Sequence, residues 1–456
     1  MRKRLLPLLS VLMSAALVLA ACATPTAAPT AVPPPPPTSP PAATATSAPA
    51  APTAVPATKA PAGPPNLTGE TITFYHFGDL SGPLAAITSP TIRGAEDAAK
   101  AINDSGGIYG AKIQVKFSDT GGKVEEAVAA YNRFKSADKN MLFVITYGSG
   151  DAEALAPRLV EDKVPNLAAG LSAKAFYGKD SGYTYGLGPI YPDQLGLTMK
   201  YLKDNWAKHK PEGAGNDIKL AHISWPTAFG HGALTAESRA YLKELGVQLV
   251  LEEKYDPAPT AQTTTAILNA NAAGANVIWT NTLAFGPAVI LNDLNSLGLR
   301  KKFVVAADNW GMDLALYAFL AKPEYGVGLI TPFPYLWWTD TSNAGIQYAG
   351  KVFTDNKRPK SDQNVGYLLL VGGVDLAVKA VKKAIDTVGY KDLNGKAVND
   401  ALIALGPQDV LSGVVRVDYS KGTRAPRYAQ IRQIQGGPDK FVVLQDWTEM
   451  PDLRPK

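Results

Sequence analysis

TITFYHFGDLSGPLAAITSPTIRGAEDAAKAINDSGGIYGAKIQVKF, running from Thr71 to Phe117, is the stretch whose reading decides the fold. Its first five residues, Thr71-Ile72-Thr73-Phe74-Tyr75, are rich in β-branched and aromatic side chains and predict a strand. Pro90 to Ser105 predicts a helix, with Ile92, Ala95, Ala98, Ala99 and Ile102 recurring on one face. Gly106-Gly107 turns the chain out of that helix, because glycine takes positive φ without a Cβ clash. Lys112 to Phe117 then predicts a second strand. A strand, a helix and a strand joined by short turns form a right-handed crossover of a parallel sheet.

The unit recurs downstream. Helices are expected at Val124–Ser136 and Ala152–Glu161, with a strand at Met141–Thr146 between them and a further strand before Gly170. Strands at Lys219–Ile223, Gln248–Leu251, Val277–Asn281 and Phe303–Ala306 alternate with helices at Leu195–Ala207, Ala233–Leu245, Thr263–Ala273 and Pro287–Leu297. This alternation argues for an α/β protein with parallel sheets. After Thr331 the pattern changes. Helices at Asn343–Asp355, Tyr367–Val388 and Gly395–Leu405 precede three strands of antiparallel character, Val414–Asp418, Tyr428–Ile434 and Phe441–Leu444. Two Rossmann-like lobes with a cleft between them and several hinge crossovers fit this order better than one long sheet. The expected division gives residues 67–190 to lobe 1 and 191–330 to lobe 2. Residues 331–411 return to lobe 1, and residues 412–456 complete lobe 2 and form the C-terminal tail.

The N-terminus reads differently. Met1-Arg2-Lys3-Arg4 is basic, Leu5 to Ala21 is apolar but short, and Leu19-Ala20-Ala21-Cys22 ends the run. This is the form of a cleaved export signal rather than a membrane span. The tetrapeptide resembles the bacterial lipobox, which implies a signal over residues 1–22 and a lipid on Cys22, the only cysteine of the chain. No internal disulfide is then possible. Residues 23–66 are almost entirely Pro, Ala, Thr and Ser, a composition that predicts a disordered, extended tether of up to about 130 Å. The formal charge of the 456-residue chain is +5, which drops to about +2 when Arg2, Lys3 and Arg4 leave. Neither nucleic acid nor an anionic surface is implied by that balance.

Sequence patterns for catalysis are missing. Ser149 lies between Gly148 and Gly150, but Tyr147 and Asp151 stand where a nucleophile elbow needs its outer glycines. Gly395-Lys396-Ala397 lacks the hydroxyl of a phosphate loop, and Gly78 to Gly82 has the wrong spacing for a dinucleotide fingerprint. His76, His209, His222 and His231 have no metal-ligand spacing. No catalytic residue, metal or cofactor is therefore expected. Four small-residue loops remain, each after a strand, where open α/β sheets bind ligands. They are Ser81-Gly82-Pro83, Tyr147-Gly148-Ser149-Gly150, Gly170-Leu171-Ser172 and Asp308-Asn309-Trp310.

Between Leu67 and Leu444 the chain resembles the branched-chain amino-acid-type substrate-binding proteins of ABC transporters, which have the type I periplasmic-binding fold. The resemblance rests on Gly78-Asp79-Leu80-Ser81-Gly82-Pro83-Leu84-Ala85, on Arg93-Gly94-Ala95-Glu96-Asp97-Ala98, and on Ile102 to Gly110. Asp193-Gln194-Leu195-Gly196, Phe229-Gly230-His231-Gly232, Asn295 to Leu299 and Leu411-Ser412-Gly413 follow in the family's order. It implies that Ser81, Ser149, Gly170, Leu171 and Ser172 face a ligand from lobe 1, with the Ser149 and Ser172 hydroxyls on its polar head. It also implies that Asp308 meets a ligand ammonium from lobe 2. Phe229 and Leu283 stand where the family has tyrosines, and Gly372 where it has a third aromatic. Trp225 and Trp310 follow strands and are expected in the cleft, whereas Trp337-Trp338 is expected to pack at the hinge. These departures predict a more apolar pocket, suited to an amino acid, an aromatic or apolar acid, or an amide.

The resemblance further implies a monomeric, lipid-anchored extracytoplasmic protein that closes on its solute and delivers it to a membrane permease. Three rival readings stay open at this level: a ligand sensor for a receptor, a lipid-anchored hydrolase using Ser149, and a structural envelope lipoprotein.

Overall fold

The computed structural model describes residues 64–82, 84–258 and 260–456. The expected export signal, the lipidation expected at Cys22, the expected tether as far as residue 63, and Pro83 lie outside the described residues. Among the described residues no helix is long and apolar enough to cross a membrane.

The chain opens with β1 (Thr71–Gly78), α1 (Ala85–Asp104), β2 (Lys112–Asp119), α2 (Val124–Ala137), β3 (Val144–Thr146), α3 (Ser149–Asp162), β4 (Asn166–Ala168), α4 (Ala173–Tyr177) and β5 (Thr184–Gly186). These five strands form a parallel sheet in the order β2-β1-β3-β4-β5. α1 starts five residues earlier than its periodicity suggests, so Pro90 stands inside it. The hydroxyls of Ser89 and Thr91 donate to the carbonyls of Ala85 and Thr88 in the turn that holds the ring.

The second sheet is built from α5 (Tyr191–Asp204), α6 (Trp206–His209), β6 (Lys219–Ser224), α7 (Ala228–His231), α8 (Ala236–Glu244), β7 (Gln248–Lys254), α9 (Thr264–Ala272), β8 (Val277–Thr280), α10 (Phe285–Ser296), β9 (Val304–Ala307), α11 (Leu316–Phe319) and β10 (Ile330–Phe333). α12 (Ala344–Asp355), α13 (Val365–Val388) and α14 (Gly395–Ala404) follow, then a hairpin of β11 (Gln408–Val410) and β12 (Val415–Val417), and finally β13 (Tyr428–Ile434) and β14 (Phe441–Glu449). β13 and β14 add antiparallel to β10, giving the order β14-β13-β10-β9-β8-β6-β7. Pro332 lies within β10, which is why no strand pattern shows there in the sequence.

Three segments cross between the sheets, and they lie side by side. The Gly186 amide at the first crossing donates to the Arg424 carbonyl at the third. Tyr419 Oη donates to the Gly186 carbonyl at 2.7 Å. The Leu336 amide of the second crossing donates to the Val414 carbonyl. Trp337 and Trp338, adjacent and both buried, face opposite lobes. Trp337 packs edge-on to Phe333 and tilted against Phe441, and Trp338 packs edge-on to Phe353 and tilted against Tyr367.

The long α13 closes lobe 1 by packing across α1. Gly94 permits this contact: a Cβ there would sit 2.5 Å from the Tyr367 carbonyl oxygen. Beside it, Arg358 makes a two-pronged ion pair with buried Asp97, which also accepts from Tyr367 Oη. Gly94→Ala should therefore destabilise the fold by about 1–3 kcal/mol through overpacking. Gly350→Ala, in α12 with nothing within 4 Å of the new methyl, should be neutral or stabilising by a few tenths of a kcal/mol. Denaturant midpoints of the two variants check the contrast, and equal losses would mean the α1–α13 contact is looser than described.

Candidate functional site

Both sheets aim the carboxyl ends of their parallel strands at one cavity of about 420 Å³. Lobe 1 contributes Leu84 after β1, Thr120 to Gly122 after β2, Tyr147 to Asp151 after β3, and Ala169-Gly170 after β4. Lobe 2 contributes Trp225, Thr227 and Phe229 after β6, Pro257 after β7, Leu283 after β8 and Trp310 after β9. Tyr191, at the start of α5, sits between the two sets.

Aromatic rings make most of the wall, and they meet across the lobes. Tyr147 of lobe 1 lies edge-on to Trp310 of lobe 2 with ring centres 6.4 Å apart. Tyr191 packs on Phe229 at 5.1 Å, and Phe229 lies edge-on to Trp225 at 5.8 Å. Such contacts are each worth about 0.5–1.5 kcal/mol beyond the area they bury. The two lobes are thus closed on each other over the cavity.

The polar part of the wall is the amino end of α3. Gly170 lets β4's loop press against it, since a Cβ at Gly170 would fall 2.3 Å from the Ser149 nitrogen. Ser149 Oγ and Tyr191 Oη share a hydrogen bond of 3.2 Å, and Tyr191 Oη also accepts the Leu171 amide at 3.0 Å. The Tyr147 hydroxyl is buried with no protein partner, and burial raises its pKa well above the ordinary tyrosine value. Asp151 Oδ2 accepts the Gly148 amide at 3.0 Å. Burial pushes the Asp151 carboxyl up to about 6, only partly offset by that bond. Among the described residues lining the cavity there is no Lys, Arg or His. Fully ionic clamping of a ligand anion is therefore outside what this wall can do; backbone amides and hydroxyls must serve.

This arrangement, a cleft between two crossover-linked α/β lobes, agrees with a family comparison. A family model described as "Periplasmic binding protein" matches residues 71–438. The chain belongs to the periplasmic binding protein family. A curated relative, Leu/Ile/Val-binding protein homolog 7 of Brucella suis biovar 1, is 26% identical over 227 residues, which is 50% of this chain and 56% of that one. The chain thus spans about half the length of that relative. Among solved structures, a branched chain amino acid ABC transporter from Thermus thermophilus with bound valine superposes with a TM-score of 0.72 at 19% identity, covering 85% of this chain and 98% of the other. A fatty acid ABC transporter substrate-binding protein from Thermomonospora curvata gives a TM-score of 0.72 at 19% identity, over 86% and 95%.

Of the residues singled out in the sequence, Ser149, Gly170, Phe229, Leu283 and Trp310 line the cavity, as does Trp225. Four do not. Ser81 is exposed, and its hydroxyl turns to Asp119. Leu171 is buried behind the wall, its amide given to Tyr191. Ser172 caps α4, accepting from the Ala175 amide while donating to Glu153 at 2.7 Å, so its hydroxyl is already committed. Asp308 is fully buried behind Trp310's loop, accepts the Thr282 amide, and has one oxygen without a partner. Burial raises its pKa well above the ordinary carboxylate value. Gly372 faces Val410 and Leu411 instead of the cleft.

Sequence reasoning passed over Tyr191, Asp151 and the Thr120-Gly121-Gly122 loop. The last follows a strand and had the same small-residue signal as the loops chosen. Tyr191 had none, because its place depends on where α5 begins after the crossing. The Asp151 carboxyl should titrate near pH 6 in carboxyl-resolved NMR, against an unperturbed value near 3.9. Because the native form then binds the proton more tightly, its contribution makes stability fall as pH rises from 4 to 6. Asp151→Asn should flatten that fall, and an ordinary midpoint near 4 would mean that water fills the wall.

Proposed function

We propose that this chain is the extracytoplasmic solute receptor of an ABC importer, binding a small solute with an apolar or aromatic body and a polar head, and passing it to a membrane permease. The observation that carries the reading is the cavity between the lobes, walled by Tyr147, Trp225, Phe229 and Trp310, with the Ser149–Tyr191 hydroxyl pair at the amino end of α3. The polar head would sit at Ser149 and the adjoining amides, and the body against the rings. Leu283 supplies an aliphatic surface in the same wall. Relatives whose names include valine and a fatty acid support a range of apolar solutes on this fold. The cavity volume falls within the usual span for small-molecule sites. Binding would favour the closed state by a hinge motion about the three crossings. The same reading has Cys22 carry the lipid that anchors a monomeric receptor, with residues 23–66 as its tether.

A hydrolase using Ser149 is disfavoured by its partner. The hydroxyl is bonded to Tyr191, and none of the four histidines borders the cavity. Thermal-shift screening of the full chain against valine, octanoate, phenylacetate, benzamide and phenylacetamide tests the proposal. A true ligand at a hundred times its Kd should stabilise the protein by about 2.7 kcal/mol and raise the melting point by several degrees. Trp310→Ala and Phe229→Ala should each weaken that ligand by about 1.5–3 kcal/mol, read by calorimetry. Unchanged affinity in both variants would place the site elsewhere.

A further inference from the structure

Tyrosines apart, Asp151 is the one ionisable side chain on the cavity wall among the described residues. It is 6% exposed, in the first turn of α3, two residues from Ser149. Its Oδ2 is held by the Gly148 amide, and no hydrogen bond of the described protein engages its Oδ1. Elements packed on α3 bring Lys123, Glu125 and Glu126 from around the start of α2, Lys174 from α4, and His231 from α7. The α2 group is exposed and Lys174 pairs with Glu153. No ion pair reaches Asp151 from any of them among the described residues, and burial with the Gly148 bond accounts for its titration. Two further acids, Asp79 and Asp308, act with Asp151 on the Tyr147 hydroxyl. Asp79 is already satisfied by the amides of Gly82 and Leu84.

A solute head placed at Ser149 therefore meets an acidic neighbour and no basic one. We propose, building on the cleft reading above, that Asp151 sets the head-group class: the site takes solutes whose head presents an N–H donor, a carboxamide or an amine, and excludes the matching carboxylate while Asp151 is ionised. The physical reason is that two carboxylates in one apolar site cannot both stay charged. The α3 amino end offers the equivalent of about half a positive charge, against two full negative ones. An amide brings hydrogens to Asp151 and an oxygen to the α3 amides and Ser149. The sign in pH follows from the raised titration: below about 6 Asp151 is neutral and can donate to a carboxylate, and above it the carboxylate is excluded.

The test is calorimetric titration of the full chain with matched pairs, phenylacetate with phenylacetamide, octanoate with octanamide, and benzoate with benzamide, at pH 5 and pH 8. At pH 8 the amide of the fitting pair should bind at least about tenfold more tightly than its acid. The acid should gain up to about tenfold per pH unit as pH falls from 8 toward 6, while the amide stays flat. Asp151→Asn should abolish that slope and raise acid affinity at pH 8 by about tenfold or more. An acid that binds as tightly as its amide at pH 8, or a slope that survives in the Asn variant, overturns the inference. If the variant fails to fold, the wild-type pH profile decides alone. If no pair binds at either pH, the cleft reading itself falls and this inference with it; selective binding of the acids would sink only the latter.

Discussion

Everything in this molecule depends on the three crossing segments lying hydrogen-bonded against one another. Parallel sheets force each strand to leave at its carboxyl end and return by a helix, so each lobe collects its loops on one face. Two such faces form one site only if the connections hold them opposite each other. The Gly186–Arg424 and Leu336–Val414 backbone bonds, with Tyr419 on the Gly186 carbonyl, set that juxtaposition without a disulfide. Trp337 and Trp338 reinforce it by anchoring one crossing into both cores. On the reading proposed above, lobe motion would be absorbed in these three segments while each lobe stays intact.

The character of the cleft follows from what surrounds it. The wall is apolar, aromatic and free of bases, so each polar group on it is poorly solvated. That is why the tyrosine hydroxyls and the carboxyl of Asp151 shift toward their neutral forms, as burial behind the wall also makes Asp308 do. Besides Asp151, the polar groups on the wall include fixed dipoles: the amides at the start of α3, the Ser149–Tyr191 pair, and the Tyr147 hydroxyl, which has no partner among the described residues. Such groups are held in place by close backbone contact, which Gly170 makes possible. The same low-polarity surroundings that make these contacts effective also make an unmatched charge costly.

Much of the architecture was legible from periodicity. The strand–helix alternation from Thr71 onward and the late antiparallel strands appear where their patterns lie. The misses have physical causes. Three-residue strands such as Thr184–Gly186 are too short for a repeat, and Pro332 disguises β10. Position after a strand picked out Ser149, Gly170, Trp225 and Trp310, and the family resemblance picked out Phe229 and Leu283, all of which line the cavity. The same rule also selected Ser81, Leu171, Ser172 and Asp308, which share those loops but turn toward Asp119, Tyr191, Glu153 and Thr282. A loop's position is written in the order of elements, but the direction of each side chain on it is not.

The sequence by itself determined the alternation of its longer strands and helices, the small-residue loops and the lone cysteine behind the Leu-Ala-Ala motif. Those are local properties, carried by residue type and spacing. Only the tertiary structure decided that Tyr191 stands between the lobes, that Ser172 is a helix cap, and that Asp151 is buried on the cleft wall with no base beside it. The reason is that hydrogen-bond pairing and desolvation depend on atoms far apart in the chain, and a residue's neighbours in space are fixed only when both sheets have closed around it.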